Sequence, residues 1–202
     1  WIQRRRLVGI IMLGIYPPGI LKEIRDLDIP IALTDAYEDY TKDFNRVVVE
    51  DKLGGYLATK YLIDMGHTEI AFVTGGLKKS PLNYQRYLGY VQALEEAGLE
   101  GKKEYIFEEY VSYDGGYKAG NELIKRQTKA TAIFVIGDIM AIGLMKALRE
   151  NNKDIPEDYS VIGFDDIKFA SYVTPSLTTM RQDIVKKGML CAKMVLERSE
   201  ER

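Results

Sequence analysis

The chain has 202 residues, enough for one large domain or two small lobes with ample core. At 46% hydrophobic and 29% charged, with 28 basic against 30 acidic residues and a net charge of −2, it has an ordinary globular make-up and announces neither a nucleic-acid nor a membrane surface. The single Cys191 excludes an internal disulfide and cysteine-pair metal sites, and no apolar run reaches the roughly 18 residues of a membrane helix.

The opening Trp1 to Arg6 is basic and runs into Leu7 to Leu13, which reads as a helix end entering a buried strand rather than as a secretion signal. Pro17-Pro18-Gly19 breaks the strand, and Ile20, Leu21, Ile24 and Leu27 set up a short amphipathic helix. Ile29 to Leu33 is a second apolar run, ending at Thr34-Asp35; Ala36 to Asn45 is a loop, and Arg46 to Glu50 a short strand. A helix over Lys52 to Met65 follows, with Leu53, Tyr56, Leu57, Tyr61 and Leu62 on its inward stripe and Gly66 as its stop. Ile70 to Thr74 is a buried strand, Asn83 to Ala97 a helix turning Tyr87, Tyr90, Val91 and Leu94 inward, Tyr105 to Val111 strand-like, and Gly116 to Arg126 a helix. Ile133 to Ile136 and Val161 to Phe164 are continuously apolar strands, and each stops at a carboxylate, Asp138 just after Gly137 and Asp165. Between them Met140, Leu144, Ala147 and Leu148 fall on one helical face; Asp183 to Glu197 is a final helix, in which Cys191 lies beside Ile184, Gly188 and Val195 as a small buried thiol. Strand and helix alternate almost throughout, the pattern of an α/β fold with doubly wound parallel sheets. In such sheets ligands bind beyond the carboxyl ends of the strands, where Asp138 and Asp165 stand.

Five ordered segments carry a resemblance: Gly66 to Gly75, Arg86-Tyr87-Leu88-Gly89-Tyr90, Gly137 to Gly143, Ile155 to Asp166, and Leu177 to Gln182. Together they resemble the LacI/GalR family of bacterial transcription regulators, whose core is similar to periplasmic sugar-binding proteins. The resemblance implies a two-lobed type I core in which residues 50–181 form the C-terminal lobe and residues 1–49 and 182–202 are the remnant of an incomplete N-terminal lobe. It also implies a cytoplasmic homodimer, built partly through the helix around Ile139 to Leu148 and the segment near Ser171-Tyr172. Its partners would be a small-molecule effector of carbohydrate type and operator DNA, the latter through a helix-turn-helix headpiece that these residues do not include.

The same resemblance assigns ligand-binding roles. Arg86, at a helix start, would grip two neighbouring oxygens with its planar fork of donors, and Arg86→Ala would weaken effector binding with the domain intact. Asp165 would accept from ligand hydroxyls, while Asp166 fits a helix-capping role. Asp138 suits both the N-cap and the helix dipole more than a ligand. Gly137, where many sugar-responsive members carry Asn, contributes backbone only. Asp35, Gln182 and an aromatic platform at Tyr113 complete the expected contacts. No catalytic set, cofactor or metal is expected. His67 is the only histidine and follows a helix end, where it reads as a capping or packing residue; the glycines do not match a phosphate-binding or dinucleotide fingerprint, and the adjacent pairs Glu108-Glu109 and Asp165-Asp166 point to opposite faces. The alternative with the same architecture is a periplasmic sugar-binding protein feeding a transporter.

Overall fold

A computed structural model describes residues 7–14, 17–27, 29–37, 41–78 and 80–200. The readings made for Trp1 to Arg6, for part of the loop 36–45 and for the last two residues lie outside these. The chain divides into two compact units, Trp1–Val49 with Asp183–Arg202, and Glu50–Gln182.

The first unit contains β1 (Ile10–Met12), α1 (Pro18–Arg25), β2 (Ile31–Thr34), β3 (Asn45–Val47) and α6 (Ile184–Glu200), the last helix of the chain. Its three strands form a parallel sheet in the order β1-β2-β3. The sheet divides two small apolar clusters. Leu21 and Ile24 of α1 join Ile31, Leu33 and Ala36, while Cys191 and Val195 of α6 join Ala32. Successive residues of β2 thus face opposite helices, as strand alternation requires. Cys191 is fully buried, as its sequence context predicts, and burial pushes its thiol pKa up. Ile184, expected beside it, is instead exposed.

The second unit runs α2 (Asp51–Asp64), β4 (Ile70–Thr74), α3 (Pro81–Glu96), β5 (Ile106–Glu108), α4 (Tyr113–Arg126), β6 (Ala132–Val135), α5 (Asp138–Glu150), β7 (Ser160–Asp165) and β8 (Thr178–Arg181). Its five parallel strands lie in the order β5-β4-β6-β7-β8. The chain moves outward from β4 to β5 and then returns past β4 to β6, so the winding reverses between β4 and β6. That reversal is the topological switch point of a doubly wound sheet, where a crevice opens beyond the carboxyl ends of the strands. α2 packs on α3 and α4 on α5, and both pairs lean on the central strands. The core is continuous from Phe72, Ile133, Phe134 and Ile162 out to Met140, Leu144 and Leu148 of α5.

Three local readings change. β8 carries no apolar run, and its residues are exposed or half-buried, which is why the sequence pattern misses an edge strand there. α3 and α4 begin earlier than their apolar residues suggest, because Ser80 and Ser112 cap them by accepting from the N–H groups of Asn83 and Gly115. α2 buries only part of the stripe expected: Leu62 is buried and Tyr56 half-buried, but Leu53, Leu57 and Tyr61 are exposed, and Gly55, Ala58 and Thr59 are buried in their place. The reason is a backbone-to-backbone helix crossing. A Cβ on Gly55 would lie 2.2 Å from the Arg86 carbonyl oxygen, and one on Gly89 2.0 Å from that of Lys52. Only glycine allows this approach, so α2 turns its small residues, not its large ones, toward α3.

Candidate functional site

The glycine crossing has a direct electrostatic consequence. Asp51 lies one turn before Gly55, and Arg86 one turn before Gly89, so the crossing brings their side chains together. Arg86 Nε donates to Asp51 Oδ1 at 2.7 Å, with the two side chains 4% and 1% exposed. Arg86 Nη1 also donates to the carbonyl oxygen of Ile136, at the switch-point end of β6. The guanidinium lies 3.6 Å over the centre of the Phe164 ring, a contact that adds favourable cation–π energy in a desolvated setting. Arg86 is therefore not a solvated rim arginine. It is a buried tie between α2, α3, β6 and β7.

Asp165, the last residue of β7, is the group this tie presents. Its Oδ1 lies 3.9 Å from Arg86 Nη1 and accepts a 2.6 Å hydrogen bond from Gln182 Nε2. The side chain stays 36% exposed, and no hydrogen bond within the described residues engages Oδ2. A Cβ on Gly137 would stand 3.5 Å from that oxygen, so Gly137 borders the carboxylate and leaves the space before it open. Burial pushes the Asp165 pKa up to about 6, despite the opposing pull of Arg86 and the Gln182 hydrogen bond; the carboxylates of Asp138 and Asp51 add to the rise. The backbone here is also strained. Asp165 and Asp166 adopt φ of 116° and 59°, two successive non-glycine residues in a region costing on the order of 1–3 kcal/mol each.

Asp138 holds the turn after β7 from behind. It is fully buried at the first position of α5, yet it does not cap that helix; the N-cap is Gly137, without a side-chain bond. Its Oδ1 accepts from Thr179 Oγ1 at 2.6 Å and its Oδ2 from the Ile167 N–H at 2.9 Å. The expected N-cap thus becomes a cross-strand brace, with both oxygens engaged by protein. Gly163 makes room for it, since a Cβ there would sit 2.3 Å from Asp138 Oδ1. Burial raises the Asp138 pKa, partly offset by these hydrogen bonds. Asp166, expected to cap a helix, instead pairs with Arg181 on β8.

Arg86, Gly137, Asp138, Asp165 and Gln182 are thus brought together at one end of the five-stranded sheet, and Tyr113, in the same unit, faces elsewhere. Tyr113 opens α4 and lines a groove of about 250 Å³ with Ile142, Met145, Lys146, Arg149, Val173 and Thr174. The side chain reaching the strand ends from that loop is Val111, whose Cγ2 would lie 2.6 Å from a Cβ on Gly75. Asp35 belongs to the first unit, where it takes a φ of 54° and accepts from Lys187 Nζ at 2.8 and 3.0 Å. His67 bridges Thr131 and Ser160 at 2.9 and 3.0 Å, joining the starts of β6 and β7 at the opposite end of the sheet. It is a packing residue, as expected. Asp51 was missed. The available signal was a pair of mid-helix glycines, each costing about 1 kcal/mol against alanine in a helix and so a sign of close crossing.

Among the described residues no three His, Cys, Asp or Glu side chains cluster so as to hold a metal, and no helix is long and apolar enough to cross a membrane. What the site offers is a half-exposed acceptor clamped on one oxygen and backed by a buried cation. Such a group orients a hydrogen-bond donor.

Known proteins provide the comparison. A family model described as a periplasmic binding protein-like domain matches residues 59–202. The HTH-type transcriptional repressor PurR of Pectobacterium carotovorum subsp. carotovorum (strain PC1) is 33% identical over 200 residues, which are 98% of this chain and 58% of that protein. The chain therefore spans a little over half the length of this curated relative. Among solved structures, a LacI family transcriptional regulator from Enterococcus faecium with bound ribose superposes with a TM-score of 0.87 at 31% identity, covering 98% of this chain and 74% of that one. A complex of the transcriptional regulator CelR with cellobiose gives a TM-score of 0.88 at 26% identity, covering 98% and 61%.

Proposed function

Because this chain belongs to the periplasmic binding protein-like domain family, we propose that it is the effector-sensing core of a LacI-type transcription regulator, and that its effector is a polyhydroxylated small molecule. The observation that carries this reading is Asp165 Oδ2, an unengaged carboxylate oxygen at the carboxyl end of β7, beside the switch point. An ionised carboxylate is an acceptor only, so it selects donors: sugar hydroxyls suit it, and another carboxylate does not. Arg86 and Gln182 act as positioning residues, since both hold Asp165 Oδ1 and leave Oδ2 for the ligand. The ligands bound in two solved neighbours, ribose and cellobiose, are of this class.

Binding would act by population shift. An effector that prefers one conformation of the core changes the fraction of protein competent for operator DNA, by no more than its differential affinity allows. DNA contact is assigned to a helix-turn-helix segment outside these residues, and the active species to a cytoplasmic homodimer. Support for self-association comes from Phe169 and Tyr172, 62% and 70% exposed and packed edge-to-face at 5.8 Å. This exposed aromatic pair forms a patch suited to a second copy. On this reading the Glu50–Gln182 unit is the C-terminal lobe, residues 50–181, and the other unit belongs to the N-terminal one.

The test is calorimetric titration of the protein with D-ribose and cellobiose, alongside Asp165→Asn. Binding by the wild type and a loss of roughly tenfold or more in the variant, on the order of 1.4 kcal/mol, supports the reading. Equal affinities would move the ligand elsewhere on the molecule.

A further inference from the structure

Asn83 stands one turn ahead of Arg86 on the buried face of α3 and is only 6% exposed. Its backbone N–H is bonded to Ser80 Oγ, but its side-chain amide makes no hydrogen bond among the described residues. That amide lies over the end of β4, where a Cβ on Gly75 would come within 2.5 Å of Asn83 Nδ2. Thr74, the last residue of β4, is fully buried, and its Oγ1 also lacks a partner.

Thr74 and Asn83 belong to the same layer. Side chains alternate along β4, so Thr74 shares a face with Phe72, whose ring packs on Tyr90 at 5.0 Å and Tyr87 at 5.9 Å. Tyr87 and Tyr90 follow Asn83 by four and seven residues and lie on its helix face. One step further along the strand, Thr74 therefore faces the first turn of α3. The Thr74 hydroxyl is a buried polar atom without a partner among the described residues, which in a native protein calls for an explanation; the Asn83 amide above it is unbonded by protein but not wholly cut off from solvent.

We propose that the Asn83 amide is a specificity-determining ligand contact of the Asp165 site. The inference rests on the effector-binding reading given above and extends it. Asp165 accepts only, whereas a carboxamide both donates and accepts, so Asn83 reads a neighbouring pair of groups of opposite sense. A vicinal diol of a sugar supplies such a pair, one hydroxyl donating to the amide oxygen and the next accepting from its N–H. A deoxy sugar lacking one of them leaves the amide unpaired and is rejected.

Calorimetric titration with D-ribose and cellobiose, on the wild type, Asn83→Ala and Thr74→Val, tests this together with the melting temperatures of the ligand-free proteins. Because the amide holds nothing in the protein, Asn83→Ala should keep the ligand-free melting temperature and weaken the sugar that the wild type binds by roughly tenfold. Thr74→Val, which removes a buried unpaired hydroxyl at constant shape, should raise the melting temperature. Wild-type affinity in Asn83→Ala, or a fall in its melting temperature with affinity intact, would overturn the proposal and make Asn83 structural. If Asp165→Asn loses the sugar and Asn83→Ala does not, only this inference fails. If the wild type binds neither sugar, the effector reading fails and this inference falls with it.

Discussion

Replacing Arg86 by alanine should destabilise the Glu50–Gln182 unit rather than merely weaken a ligand. The substitution removes the 2.7 Å ion pair to Asp51, the hydrogen bond to the Ile136 carbonyl and the stacking on Phe164. It leaves Asp51 with its negative charge at 1% exposure and no guanidinium beside it. Breaking a buried pair from one side costs about 3–5 kcal/mol, because the surviving charge is stranded away from water. The lost carbonyl bond and cation–π contact overlap with that figure and are not added to it. At about 2–4 °C per kcal/mol for a chain of this size, the melting temperature should fall on the order of 10 °C. Arg86→Lys should recover only part of it, since an ammonium cannot bridge Asp51 and Ile136 with the geometry of a planar fork. Differential scanning calorimetry of the three proteins checks this. A fall of only about 1–2 °C in Arg86→Ala, the size expected for an exposed pair, would refute the buried-tie account. The sequence-based expectation was an intact domain with a weakened site; the burial of Arg86 adds a stability cost to it.

Gly89→Ala should lower the melting temperature, although alanine is the better helix former by about 1 kcal/mol, because its Cβ would stand 2.0 Å from the Lys52 carbonyl oxygen; a variant more stable than the wild type would show that the helices do not cross there. Tyr172→Glu should shift the species seen by analytical ultracentrifugation from dimer to monomer with the far-ultraviolet circular dichroism unchanged, and an unaltered dimer would place the interface elsewhere. Asp165 should also leave a signature in stability. Its folded pKa, about 6, is raised above the ordinary carboxylate value of 3.8, so the folded state holds the proton more tightly than the unfolded chain. The stabilisation this supplies is complete below pH 3.8 and is lost as pH rises through about 6. The melting temperature of the wild type should therefore decline more than that of Asp165→Asn between pH 4 and pH 7, and parallel profiles would contradict the shift.

Much of the fold was legible because its signals are local. The runs Ile133 to Ile136 and Val161 to Phe164 are apolar on both strand faces, and Met140, Leu144, Ala147 and Leu148 are all fully buried as their spacing predicts. α2 was misread for an equally local reason. Its large residues fall at one helical spacing and its small ones at another, and periodicity does not reveal that the small face makes the closer contact. Thr178 to Arg181 has no apolar alternation, so β8 became visible only through its pairing with β7. For the site, the family-like segments indicated Arg86 and Asp165, which the structure brings within 3.9 Å. They did not indicate Asp51, which is 35 residues away in sequence and belongs to no motif. Nor did they separate Tyr113 from Val111, two residues apart, where helix α4 starting at Tyr113 decides which side chain reaches the strand ends.

The central claim is that an ionised Asp165 receives the ligand. Its most direct test is the affinity for whichever of D-ribose and cellobiose binds, measured by calorimetry from pH 5 to pH 8 on the wild type and on Asp165→Asn. A carboxylate titrating at about 6 predicts wild-type affinity that climbs through that pH and levels above it, against a weak and flat profile for the variant. A wild-type profile that is flat across the same range, or an identical one in the variant, would contradict it.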